Sequence, residues 1–259
     1  MIDSGFLGAA GGRLEYSRWR AGARSEGPPL VLLHEGLGCV SMWRDWPAAL
    51  ARATGREVFA YSRFGYGGSS PAELPRPLDF MTLEARAVLP RVLEEADIGE
   101  VPVLVGHSDG GTIALLSAAS GEVPLGGVVT LAAHAFNEPR CIEGIEAARE
   151  AFRSGELRKR LARHHGERTD DAFRGWCDAW LAPEFEHWSI EEELAGVDVP
   201  LLVVQGRDDA YGTLRQVEVI ANRTAGPTRT LVLDDCGHSP HRDQARATTA
   251  AVARFVEGL

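Results

Sequence analysis

Ser108, His238 and the adjacent Asp208 and Asp209 are the residues of this chain whose types and spacing could do covalent chemistry. Ser108 lies in Gly106-His107-Ser108-Asp109-Gly110, a G-x-S-x-G pattern between an apolar run and a helical pattern. A serine hydroxyl is a poor nucleophile until a base takes its proton. That base in turn needs a carboxylate to hold its tautomer and stabilise its charge. His238, in Asp235-Cys236-Gly237-His238-Ser239-Pro240, offers the base, and Asp209, in Gly206-Arg207-Asp208-Asp209-Ala210, offers the acid, with Asp208 as the alternative. Attack on a carbonyl also creates an oxyanion, which needs two preset N–H donors. Asp109 supplies one as the residue after the serine. Gly36, in His34-Glu35-Gly36-Leu37-Gly38, supplies the other, because glycines allow a close backbone approach.

Such groups work together only if strand ends bring them together. The runs 28–33, 57–61, 101–105, 128–131, 200–204 and 230–233 are almost continuously apolar, as expected of strands buried on both faces of a parallel sheet, and 13–18 adds a further strand. Helical patterns at 43–54, 81–96, 108–119 and 246–257 fall between or after them, with Pro90 expected to disturb the second. The alternation predicts an α/β fold with right-handed crossovers. It places Gly36, Ser108, Asp209 and His238 just beyond the carboxyl ends of their strands, where a parallel sheet binds ligands. A serine at the tip of a strand–turn–helix elbow is held at strained backbone angles, so its neighbours must be small.

The alternation breaks between residues 135 and 196, where helices are predicted over 143–152, 156–164 and 170–181 and no strand is evident. Phe173, Trp176, Cys177 and Trp180 share one face of the last of these. The stretch is therefore expected to be a helical insert, 135–196, on a core made of 1–134 plus 197–259.

G-x-S-x-G by itself is weak in a chain with 29 glycines, so the rest of the composition matters. With 259 residues, 44% hydrophobic, the chain can bury a large core. The net charge of −10 argues against nucleic acid and against an anionic membrane surface as partners. No apolar run is long enough to span a bilayer, and the first eight residues lack a basic, then apolar, leader pattern. Four scattered cysteines (Cys39, Cys141, Cys177 and Cys236) form no C-x-x-C pair, so no metal site is expected. A reduced, cytoplasmic chain acting on a small molecule, as a monomer or a homodimer, is the expectation.

Five motifs in order make a resemblance: the His-x-Gly loop after the first buried strand, Arg63-Phe64-Gly65-Tyr66-Gly67-Gly68-Ser69, the Ser108 elbow, the Asp209 loop and Gly237-His238-x-Pro240. Across nearly its whole length the chain resembles a serine hydrolase of the α/β-hydrolase fold, in the Ser…Asp…His order. The resemblance implies Ser108 as nucleophile, Asp209 as acid, His238 as base and no metal or cofactor. The insert is similar to the helical cap of small bacterial esterases and carbon–carbon bond hydrolases. Ester hydrolysis is the first expectation. Thioester, lactone, amide and carbon–carbon substrates share the triad, and a non-catalytic ligand-binding protein is the alternative of a different class.

Two positions depart from the family's usual pattern: Glu35 stands where the first loop usually has glycine, and Ser62 where an Asp usually precedes Arg63. A carboxylate beside an oxyanion site must be paired or turned away, so Glu35 is expected to pair with Arg63. Glu35, Leu37, Trp176 and Trp180 are the candidate substrate contacts, with Trp188 a further aromatic of the insert. His34 and His107 are expected to pack behind the site, and His241 to lie at the surface or in a supporting layer. The basic run from Arg158 to His165 reads as a solvated helix face or as a rim that steers anions.

Overall fold

A computed structural model describes residues 1–22, 27–99 and 101–259. Its strands are β1 (Ile2–Ala9), β2 (Gly12–Trp19), β3 (Leu30–Leu33), β4 (Val58–Tyr61), β5 (Val103–His107), β6 (Gly127–Leu131), β7 (Leu201–Gly206) and β8 (Thr228–Leu233). The helices are α1 (Trp46–Thr54), α2 (Phe80–Leu83), α3 (Leu89–Glu95), α4 (Asp109–Ser120), α5 (Pro139–Arg153), α6 (Glu156–His165), α7 (Thr169–Trp180), α8 (Leu214–Arg223), α9 (Pro240–Asp243) and α10 (Ala245–Glu257).

The eight strands form one sheet in the order β1-β2-β4-β3-β5-β6-β7-β8. β1 and β2 pair antiparallel, as do β2 and β4, and the remaining pairs are parallel. Side chains alternate across the sheet. Leu30 and Leu32 enter the layer built with α1 and α10, and Val31 and Leu33 enter the layer built with α4 and the insert helices. This two-sided burial is why the strands from β3 to β7 are apolar almost without interruption.

β1 is an addition to the sequence reading. It is an edge strand exposed along most of its length, with Gly5 and Gly8 in place of β-branched residues. Its hairpin to β2 turns on Ala10 and Gly11, both at positive φ (48° and 83°), an arrangement usually advertised by Asn-Gly. The helix expected over 81–96 is real but interrupted. A π-helical turn, Glu84–Val88, joins α2 to α3 and ends two residues before Pro90, with the Leu89 N–H reaching back to the Glu84 carbonyl. Widening the helix there accommodates a residue that has no N–H of its own.

Between β6 and β7 the chain leaves the sheet for α5, α6 and α7. Phe152 and Phe173 stack at 3.8 Å and lock α5 to α7. The two ends of the excursion are tied together by a Phe136–Ser189 bridge and by hydrogen bonds from Asn137 N–H to the Trp188 carbonyl (2.9 Å) and from Ile190 N–H to the Ala135 carbonyl (2.7 Å). Among the described residues no helix is long and apolar enough to cross a membrane. All four cysteines are buried and unpaired.

Candidate active site

The strand order reverses direction around β3: the chain steps from β3 to β4 on one side and then to β5 on the other. The loops after β3 and β5 therefore diverge and leave a crevice at their carboxyl ends. Ser108 stands at that crevice, at φ 52° and ψ −120°, between β5 and the first residue of α4. Only glycine fits around it. A Cβ on Gly106 would overlap the Gly110 carbonyl, and a Cβ on Gly110 would overlap the carbonyls of Leu33 and His34. The elbow is thus pressed backbone to backbone against the neighbouring strand, and the Ser108 N–H is held by the Leu131 carbonyl at 2.9 Å.

β7 and β8 deliver the second pair. His238 Nδ1 lies 2.8 and 2.9 Å from the two carboxylate oxygens of Asp209. A carboxylate only accepts, so Nδ1 carries the hydrogen and Nε2 is the ring nitrogen turned away from Asp209. Asp209 also accepts from Gln205 Nε2 (2.7 Å) and from the Tyr211 N–H (2.8 Å). Burial pushes its carboxyl up, but the facing His238 imidazole and then the Tyr211 N–H prevail and hold it below its ordinary value. Asp208 is exposed, and its N–H ties the loop to the Cys236 carbonyl at 2.9 Å. Nor does Asp209 cap α8, since Thr213 does that by accepting from the Arg215 N–H. The two loops touch at Gly206, where a Cβ would overlap the Cys236 and Gly237 carbonyls. Among the described residues no hydrogen bond joins Ser108 Oγ to His238, although both line one cavity. Such contacts are often long until a substrate draws them in.

The β3 loop holds a correction. Arg63 does not pair with the Glu35 side chain. Its Nη2 donates to the Glu35 backbone carbonyl (2.8 Å) and lies 3.8 Å from Asp109 Oδ2. Glu35 instead folds over Gly38, where a Cβ would collide with it, and reaches His107 Nδ1 at 3.3 Å. His107 Nε2 sits 2.6 Å from the His238 carbonyl. Both ring nitrogens of His107 thus face acceptors, which favours the doubly protonated ring. Burial disfavours that charge, but the Glu35 contact raises the His107 pKa overall. Burial likewise opposes the Glu35 charge, and His107 nevertheless holds that carboxyl well below its usual range.

The other histidines of the site also find places. His34 is fully buried, with Nδ1 against the Glu35 carbonyl (2.7 Å) and Nε2 accepting from the Arg63 N–H (3.0 Å). His241 is not at the surface. It is 4% exposed and packs on Trp43 and His107, a supporting layer behind the site. Among the described residues neither the Gly36 nor the Asp109 backbone N–H donates to another group, so both are free to receive an oxyanion.

A cavity of about 200 Å³ opens beside Ser108. The core lines it with Glu35, Gly36, Leu37, Asp109 and His238, and the α7 helix lines it with Trp176 and Trp180. Trp176 lies against Gly36 so closely that a Cβ there would strike its indole. Trp180 donates from Nε1 to Asp109 Oδ1 at 3.3 Å. Trp188 stays outside the lining and packs on Trp180 and Phe185. Arg158 is half-exposed and paired with Asp170 at 2.6 Å, away from the lining. His107, expected to pack behind the site, lines the cavity with Ser239, and His134, Tyr211, Cys141 and Ile145, to which no motif in the sequence points, complete the wall. His134 lies three residues beyond β6 and Tyr211 two residues beyond Asp209, so the strand-end rule that finds Ser108 could have found both.

The sequence pattern of the alpha/beta hydrolase family matches residues 30–252, and the chain belongs to that family. A curated relative, epoxide hydrolase A of Mycobacterium tuberculosis, is 30% identical over 101 residues. That stretch is 38% of this chain and 31% of the relative, so the match spans about a third of that protein's length. The fold superposes on the enol-lactonase from Burkholderia xenovorans LB400 with a TM-score of 0.76 at 21% identity, covering 98% of this chain and all of the other. It superposes equally, at 0.76 and 18% identity, on an esterase from Exiguobacterium antarcticum, again covering 98% of this chain and all of the other. At these identities the two likenesses concern the fold.

Proposed function

We propose that this protein is a serine hydrolase that cleaves an ester-type bond of a small molecule through Ser108, His238 and Asp209. His238 Nε2 takes the Ser108 proton as Oγ attacks the carbonyl carbon, and the backbone N–H groups of Gly36 and Asp109 receive the oxyanion. His238 then gives the proton to the leaving oxygen as its bond to the acyl carbon breaks. In the second half His238 takes a proton from water as the water oxygen attacks the acyl carbon, then gives that proton to Ser108 Oγ as the acyl–Oγ bond breaks. Asp209 stays ionised and holds the imidazole. The observation that carries this reading is the Asp209–His238 pair, at 2.8 Å, on the same cavity as a serine held at a strained elbow.

Epoxide opening on this fold uses an aspartate at the elbow tip, and here the tip is Ser108. The 135–196 stretch acts in this reading as a cap that shapes the acyl site, and lactones or thioesters would follow the same steps. A fluorophosphonate probe tests the proposal. Labelling that is lost in Ser108→Ala is expected, whereas well-folded protein that takes no label would make it a ligand-binding member of the family.

A further inference from the structure

Among the described residues two buried side-chain atoms of the cavity-lining residues, Asp109 Oδ2 and His134 Nδ1, have no hydrogen-bond partner. Asp109 Oδ2 belongs to a residue 1% exposed, and the nearest cation, Arg63 Nη2, is 3.8 Å away, beyond hydrogen-bond range. Arg63 is itself 1% exposed and always charged. Asp109 is the one carboxylate within 4.0 Å of it among the described residues; burial pushes the Asp109 carboxyl above its ordinary value, against the downward pull of Arg63 and Arg76. His134 is 4% exposed. Its Nε2 lies 3.2 Å from the Tyr211 carbonyl and so carries the hydrogen, which leaves the lone pair on the unpartnered Nδ1. Burial first, and then the neighbouring His238, push the His134 pKa down to about 4, so this ring is neutral at pH 7.

Both residues flank the same indole. Trp180 donates to Asp109 Oδ1, and its ring meets His134 edge to face at 5.3 Å. The Asp109 end also adjoins the oxyanion loop, since its Oδ2 lies 3.1 Å from where a Gly36 Cβ would stand. The Asp109 end of the cavity is thus next to the Gly36 loop.

We propose that the Trp180 end of the cavity is a subsite for a hydrogen-bond donor, a hydroxyl or an ammonium, on the acyl part of the substrate, with Asp109 and His134 as its acceptors. This rests on the serine-hydrolase reading and narrows it to compact, donor-bearing acyl groups. Buried acceptors left unpaired by an apolar acyl group cost binding, and a site built for a hydroxyl discriminates more sharply than an apolar pocket does. A carboxylate on the acyl group would face Asp109 and be rejected.

Two isosteric sets of methyl esters test it: lactate, isobutyrate and alaninate for a donor at C2, and 3-hydroxybutyrate, isovalerate and 3-aminobutyrate for one at C3. In at least one set the hydroxyl or the ammonium ester should exceed its methyl isostere in kcat/KM by about tenfold or more. His134→Phe and Asp109→Asn should each shrink that ratio by about threefold or more. The hydroxyl and ammonium arms identify which donor the site takes. Calorimetric binding of the same esters to Ser108→Ala repeats the comparison without turnover, so the subsite stays testable if the hydrolase reading fails. Equal or reversed ratios in both sets, or ratios that neither variant changes, would overturn the subsite. Loss of all turnover and all probe labelling, with donor-selective binding retained, would overturn the hydrolase reading alone.

Discussion

The strand ends and the helical stretch between β6 and β7 meet at one cavity but are built on opposite terms. At the strand ends, backbone presses on backbone: Gly106 against Gly110, Gly110 against Leu33, Gly206 against Cys236 and Gly237. No side chain can be added there, and Ser108 and His238 are positioned by main-chain geometry. In the helical stretch, large rings pack on one another, as Phe152 on Phe173, Phe185 on Trp188 and Trp180 on His134 do. The first arrangement tolerates no change of volume. The second is a set of side-chain shapes that a few substitutions can re-form.

Four experiments would break or sharpen that contrast. Asp209→Asn should have the largest effect, lowering kcat by about 10³-fold or more with little change in melting, because it leaves the loop in place and spoils the His238 tautomer. Steady-state rates alongside calorimetry measure both. Gly110→Ala should act through the fold, costing at least about 3 kcal/mol in urea unfolding or yielding no soluble protein, since two carbonyls occupy the space. A freely tolerated alanine would show that the elbow is not pinned by β3.

Trp180→Ala should destabilise by about 3 kcal/mol and shift preference toward longer acyl groups, read from kcat/KM across a chain-length series. If that order stayed the same, the helical stretch would not be shaping the acyl site. The smallest effect is expected from His134 through pH. Its folded pKa of about 4 lies below the ordinary 6.5, so between those values the unfolded chain binds a proton that the folded chain refuses. Stability is full above 6.5 and falls as the pH drops toward 4, by roughly 1–2 kcal/mol at pH 5. His134→Phe should flatten that part of the curve in urea titrations at pH 7 and 5. His34 and His241, also held neutral by burial, act in the same direction and keep the slope from vanishing.

The same contrast explains which features are legible in the order of residues alone. Ser108, Asp209, His238 and the Gly36 loop are legible because glycine spacing and strand ends are written directly into that order. The strands from β3 to β7 are legible because burial on both faces leaves long apolar runs. β1 is not, being an exposed edge strand turned by Ala10-Gly11. Opposite charge suggests Arg63 as the partner of Glu35, but Arg63 spends its guanidinium on carbonyls and on Asp109, which leaves Glu35 to His107. Identity and spacing cannot rank such competing contacts. The acceptor roles of Asp109 and His134 lie further out of reach, since each depends on which atom opposite is missing.

The neck made by Phe136–Ser189 and its flanking hydrogen bonds has a consequence for how such a chain could diversify. Because the outgoing and returning strands of the excursion are clasped beside each other, everything from α5 to α7 hangs on the sheet as a cassette. A cassette with neighbouring ends can be exchanged for another of different length without moving β6 relative to β7. Transplanting a foreign helical segment between residues 136 and 189 would then change the lining of the cavity while Ser108, Asp209 and His238 stay where they are.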